Sequence, residues 1–189
     1  TKREHTGIDM EIYHHPTHGF NAERMLDAMA VSLDYFQENF GPYQFDYARV
    51  IEFPGYATFA QAFAGTVPYS ERTGFIANTA DEDDIDYVTY VTAHEYGHQY
   101  WAHQLISAYM QGGTVMVETM AQYSALMVMK EIYGEEQIRR FLKYELDAYL
   151  SSRGSEAIEE LPLNRVENQG YIHYLSLIHI SEPTRQWQI

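Results

Sequence analysis

The run His94-Glu95-Tyr96-Gly97-His98, with Glu118 downstream, constrains this chain more than any other feature. Histidines four residues apart on a helix leave the same face one turn from each other, so both imidazoles can grip one cation. Imidazole is a good zinc ligand, and a catalytic zinc site takes three protein ligands and keeps one position open for water. Glu95 lies about 100° around the helix from His94, close enough to handle the proton of that water. Glu118 would complete the ligand set from a second helix. Read this way, the chain is a zinc hydrolase with one zinc ion as its cofactor.

A five-residue pattern recurs by chance, so its surroundings carry weight. Val88 and Val91 before the motif, and Ala102 and Leu105 after it, can pack that helix into a core. The spacing of apolar residues predicts helices over 22–39, 84–105, 114–133 and 135–152. Asn21 is the expected cap of the first, and Gly41 and Gly134 are expected stops. Segments 47–53 and 74–78 read as short strands bounded by Pro and Gly, and 161–170 as an irregular connection. A metzincin would need glycine at position 101 and histidine at 104. The chain has Trp101 and Gln104, with His103 one place off, so a glutamate third ligand, and with it a gluzincin, is implied. Glu131 and Glu135 rival Glu118 but lie a further helix length away, where a solvated surface role suffices.

Composition removes other classes. A net charge of −15, from 12 basic and 27 acidic residues, would repel nucleic acid and anionic lipid, so neither is an expected partner. Without cysteine there is no thiolate zinc site and no disulfide scaffold. No apolar run is long enough to span a membrane, so direct membrane contact by this stretch is not expected. The acidic cluster from Asp81 to Asp86 lacks the glycine and spacing of a calcium loop and reads as a solvated lead into a helix. With 189 residues and 46% apolar content, the chain can form one domain with a real core.

The motif residues carry a resemblance. His94 to Trp101 (HEYGHQYW), followed by Glu118-Thr119-Met120-Ala121-Gln122-Tyr123, resembles the aminopeptidase N family of zinc metallopeptidases. That family shows HExxHxW or a close variant, then E-x-x-A-x-Y on a second helix. Here the tryptophan comes one place late, with Tyr100 in its usual position. Nineteen residues separate His98 from Glu118, one more than is usual in the family and matching the thermolysin-like count. The chain is also similar to the bacterial subgroup in which such a peptidase domain is fused to an ABC transporter permease, where the longer spacing is at home. The similarity runs over residues 12–174.

The resemblance implies an α+β fold of the thermolysin-like gluzincin type, a small mixed sheet packed on the motif helix with a helical part, truncated at the C-terminus. It also implies zinc-dependent hydrolysis of peptide bonds, with peptides as substrates and removal of N-terminal residues. Pro68-Tyr69-Ser70-Glu71-Arg72-Thr73-Gly74-Phe75-Ile76 aligns with the family's exopeptidase motif, which makes Glu71 the carboxylate that would hold a free α-amino group. Tyr174 aligns with the transition-state tyrosine, with Tyr171 as its rival. Gln122, one turn after Glu118, is a candidate to orient the histidines. The permease-fused subgroup implies a membrane-associated bacterial parent with a soluble peptidase domain.

Residues 175–185 read LSLIHISEPTR, which resembles the in-frame translation of a transposase sequencing adapter, the alternative being an ordinary C-terminal strand. On the adapter reading 1–174 is a peptidase fragment, 175–189 is a non-native tail, and the natural protein continues beyond Tyr174. Two other functions stay open: a thermolysin-like endopeptidase, suggested by the longer spacing, and a non-catalytic peptide-binding or gating domain of a transporter. Glu95 argues against the latter, because binding zinc needs no general base.

Overall fold

The computed structural model describes residues 1–80, 85–153 and 161–166. Strands β1 (Lys2–His5), β2 (Ile8–Tyr13), β3 (Tyr47–Phe53) and β4 (Thr66–Ser70) form a mixed sheet in that order. β1 and β2 pair antiparallel around Thr6-Gly7, where both residues have positive φ, while β2–β3 and β3–β4 are parallel. Helix α1 (Ala22–Phe40) makes the crossover from β2 to β3. It buries Met25, Leu26, Met29, Leu33 and Phe36, the 3–4 stripe expected from the sequence. That stripe shares one core with Met10 and Ile12 of β2 and Ala48 and Val50 of β3. The architecture is α+β, as the resemblance implies.

The helices that follow are α2 (Tyr87–Gly97), α3 (Met120–Tyr133) and α4 (Glu135–Arg153). α2 is buried on nearly every side, through Val88, Thr89, Tyr90, Thr92, Ala93, Glu95 and Tyr96. Such a helix lies inside a domain; α2 packs between α1 and α3. Asp86 caps it by accepting a hydrogen bond from the backbone N–H of Thr89 at 3.1 Å, and also pairs with Arg24. Asp86 thus leads into the helix as expected, but it is paired and only 10% exposed rather than solvated, while 81–84 lie outside the described residues.

Three expectations need correction. Regular winding of α2 ends at Gly97, well before 105. Beyond it the chain keeps turning through bonds of mixed span, such as Tyr100 N–H to Gly97 and Leu105 N–H to Tyr100. The side chain of Gln99 explains the change, since it leaves the helix to donate to Phe63 O at 2.9 Å and to accept from Gly65 N–H at 2.8 Å. Segment 74–78 is no strand: the chain bends at Glu71 into a wide helical turn, Glu71–Phe75, begun by the Ser70 side chain accepting from Arg72 N–H. Asn21 precedes α1 but does not cap it; its amide donates to the carbonyls of Gly74 at 2.7 Å and Ala77 at 3.0 Å, fastening that turn to the helix start. Strands β1, β2 and β4 were not anticipated.

The sheet's outer face carries one acid-sensitive cluster. Glu11 accepts from Lys2 at 2.5 Å, Arg49 at 2.6 Å and the Tyr13 hydroxyl at 2.9 Å. The hydrogen bonds from Lys2 and Arg49 pull its carboxyl down to about 2, from an ordinary 4.5. On acidification the unfolded chain takes up this proton first, so the stabilisation is complete above the ordinary value and fades as pH falls toward 2. Glu11→Gln is therefore expected to lower the melting temperature at pH 7 and to leave it unchanged near pH 2. An equal shift at both pH values would contradict this account.

Candidate active site

α2 delivers His94 and Glu95 from its last full turn and His98 at its C-terminal cap. Glu118 comes from Val115–Thr119, a wide turn with i to i+5 winding that opens α3. Wide turns of this kind recur at functional sites and absorb a residue more than α-helical winding does. This accommodates the nineteen-residue gap. Gly97 lets the two helices meet, since a Cβ there would lie 3.1 Å from both Cα and O of Ala121 on α3.

The structure brings three of the expected residues to one point. Nε2 of His94 stands 3.5 Å, and Nε2 of His98 3.4 Å, from the same Glu118 oxygen. The two rings are 4.6 Å apart and nearly perpendicular. Two imidazole nitrogens and one carboxylate oxygen within 4.8 Å of one another make a donor set suited to zinc. Burial would raise the Glu118 carboxyl, but the hydrogen bonds from His94 and His98 win and hold it well below the usual carboxylate range. His98 is also fixed from behind, with its Nδ1 3.3 Å from the carbonyl of Trp101. Trp101 in turn donates its indole N–H to Ser124 of α3 at 2.8 Å. The late tryptophan thus ties the end of the motif to the second helix.

Glu95 sits beside this set and is 7% exposed. Burial pushes its carboxyl up, and this outweighs the lowering by His94 and His98 and by a backbone hydrogen bond from Ala62. Ala62 belongs to a stretch that runs antiparallel along β4, with Gln61 N–H bonded to Pro68 O at 3.1 Å and Ser70 N–H to Phe59 O at 3.0 Å. The stretch forms one wall of a cleft of about 900 Å³ that also holds His94, Glu95, His98 and Glu118.

Glu71 stands elsewhere. Its Oε1 accepts from Gly55 N–H at 2.7 Å and its Oε2 lies 3.8 Å from His18, which pairs with Glu52 at 2.5 Å. It is not among the residues lining the cleft. Glu135 pairs with Lys130 on the surface, so it is no rival for the metal position. Gln122 donates to Glu145 at 2.9 Å and meets the Tyr90 hydroxyl. Tyr171 and Tyr174, like the tail 175–189, lie outside the described residues.

Sequence reasoning missed Glu145. It projects from α4 into the cleft, 5% exposed, where Tyr90 donates to Oε1 at 2.7 Å and Gln122 to the same atom. Burial raises its carboxyl, while Tyr90, His94 and Gln122 favour the charged form. Its signal in sequence was faint: one glutamate among many on an amphipathic helix. The site also holds a polar atom unmet by any of the described residues, the buried Nδ1 of His94. A buried donor without a partner costs about 1–3 kcal/mol.

Comparison with known proteins agrees with this geometry. Residues 24–173 match the peptidase family M1 domain. Among curated proteins, none matches. The fold is similar to the crystal structure of an M1 zinc metallopeptidase from Deinococcus radiodurans, and to that of a glutamate-to-alanine mutant of the same enzyme. Each aligns with a TM-score of 0.58 and 18% identity, over 91% of this chain and 35% of the other. The chain therefore spans about a third of the length of these relatives, and at this identity the likeness speaks for the fold. With the family match covering most of its length, the chain belongs to peptidase family M1.

Proposed function

We propose that this domain hydrolyses peptide bonds with one zinc ion held by His94, His98 and Glu118. The single observation carrying this reading is the convergence of both Nε2 atoms on one Glu118 oxygen, with Glu95 buried alongside. Zinc, when bound there, supplies polarisation of the scissile carbonyl and acidification of the attacking water. Glu95 takes the proton of that water and hands it to the leaving amine. Its raised carboxyl suits this exchange, since a general base works best when its pKa approaches the operating pH. The backbone along residues 58–62 orients the substrate chain beside Glu95. Tyr174 is the proposed donor to the oxyanion, a role supported by the resemblance of its segment to the family pattern.

For specificity, removal of N-terminal residues is supported by membership of family M1 together with the aminopeptidase N-like motifs. It assigns the free amine to Glu71. One observation favours a second reading, cleavage within chains: Glu71 is engaged by Gly55 away from the cleft, and the stretch at the cleft wall presents Gln61 there. Assaying the full-length protein on matched peptides with free and acetylated N-termini separates the two. Aminopeptidase action predicts hydrolysis of the free peptide alone; equal rates on both would remove it in favour of the endopeptidase. Hydrolysis of neither, with zinc bound, would support the non-catalytic binding or gating domain.

We further propose that residues 1–174 are the natural part, that 175–189 are adapter-derived, and that the parent is a bacterial membrane-associated protein fused to a permease. The sequence resemblance supports this. Among the described residues, no helix is long and apolar enough to cross a membrane.

A further inference from the structure

A neutral imidazole has one donor and one acceptor nitrogen, so a histidine that gives Nε2 to a metal carries its proton on Nδ1. Metal-bound histidines almost always donate that N–H to a carboxylate, a carbonyl or a water, which fixes tautomer and ring orientation. His98 has the carbonyl of Trp101 in this place. Among the described residues His94 has none: its Nδ1 is buried and without a hydrogen-bond partner.

The buried Glu145 carboxylate lines the same cleft and interacts electrostatically with His94. Tyr90, one turn before His94 on α2, donates to Glu145 Oε1 at 2.7 Å. Helical side chains lean toward the N-terminus, which directs the His94 ring to the side of α2 from which Tyr90 reaches this carboxylate. Gln122, one turn after Glu118 on α3, donates to the same oxygen at 2.9 Å. The Glu145 carboxylate is thus pinned one turn from a ligand on each of the two ligand-bearing helices. An ionised carboxylate offers about four acceptor positions, and these two donors leave room for a third.

We infer that Glu145 is the positioning residue of His94: in the zinc-loaded protein its carboxylate accepts the hydrogen bond from His94 Nδ1–H. Gln122 acts one step removed, by holding Glu145. The inference rests on the zinc site proposed above, and it gives α4 a role in metal binding. It also accounts for a buried carboxyl group in the cleft that the hydrolytic steps do not use.

Zinc affinity of the full chain, measured by competition with a fluorescent chelator, tests this together with melting temperatures of the metal-free proteins. His94→Ala should abolish tight binding. The isosteric Glu145→Gln should weaken zinc binding by about 10- to 100-fold, with the metal-free melting temperature close to wild type. Glu145→Asp, which keeps the charge, should recover part of the loss. Wild-type zinc affinity in Glu145→Gln overturns the inference, and so does a fall in melting temperature with zinc affinity intact. A wild type that binds no zinc, or a His94→Ala variant that binds it normally, overturns the zinc site itself. The wild type supplies a readout that needs no variant. NMR of the zinc-loaded protein should show a slowly exchanging imidazole N–H for each ligand histidine, and a single such proton would contradict the role of Glu145.

Discussion

Glu95→Gln is expected to lower kcat/KM on the best peptide substrate by about 10²- to 10⁴-fold, the usual range for loss of general acid–base catalysis, while zinc stays bound. The substitution is nearly isosteric and lies within a buried helix, so the fold and the three ligand atoms should be untouched. Gln keeps an oxygen that can accept the backbone N–H of Ala62, yet it cannot take a proton at neutral pH. Burial already works against the charged form of Glu95, so removing that charge introduces no new desolvation cost. Kinetics on the full-length protein beside metal analysis provide the check. Unchanged turnover with zinc in place would end the role of Glu95, whereas loss of both zinc and turnover would mean the variant had disturbed the ligands.

How far the sequence led depends on whether a feature was local. α1 was legible because its stripe of Met25, Met29, Leu33 and Phe36 repeats at the helical period and ends at Gly41, whose φ of 109° suits the stop. The pairing of His94 and His98 was legible for the same reason, since four-residue spacing on one helix survives any packing, whereas Glu118, the proposed third ligand, comes from a separate turn. The end of α2 was not legible. The apolar pattern continues to Leu105, and only the distant Gly65 and Phe63 backbone draws Gln99 out of the helix. β1 has the sequence Lys-Arg-Glu-His, which looks like a strand only once β2 lies beside it. The turn at Glu71–Phe75 reads as a strand from its apolar end, because the capping by Ser70 and the anchoring by Asn21 are tertiary. Glu145 falls to the same cause. Its burial comes from α4 docking on α3, with Tyr90 and Gln122 waiting on two other helices.

Gly97→Leu is expected to damage stability and the proposed site together, because α2 and α3 cross where His98 and Glu118 meet. A Cβ at position 97 would meet Ala121 Cα and O at 3.1 Å and Ala121 Cβ at 3.3 Å. Two of those atoms are backbone, so the contact is relieved only by moving α3 away from α2. Replacing glycine within a helix would otherwise gain up to about 1 kcal/mol of propensity. Overpacking costs about 1–3 kcal/mol, so the balance falls on the destabilising side. The separation is carried straight to the ligands, since Gly97 precedes His98 directly and Ala121 follows Glu118 by one turn. A displacement of about 1 Å at a reacting centre can cost about 10²-fold in rate. Gly97→Leu should therefore lose activity by that order and bind zinc more weakly, with a lowered denaturation midpoint. Gly134→Ala serves as the control. A Cβ at position 134 meets nothing, so that variant should lose stability through its φ of 81° alone and keep its affinity for zinc. If Gly97→Leu matched wild type in both zinc affinity and rate, the close approach of α2 and α3 would not be what holds His98 against Glu118.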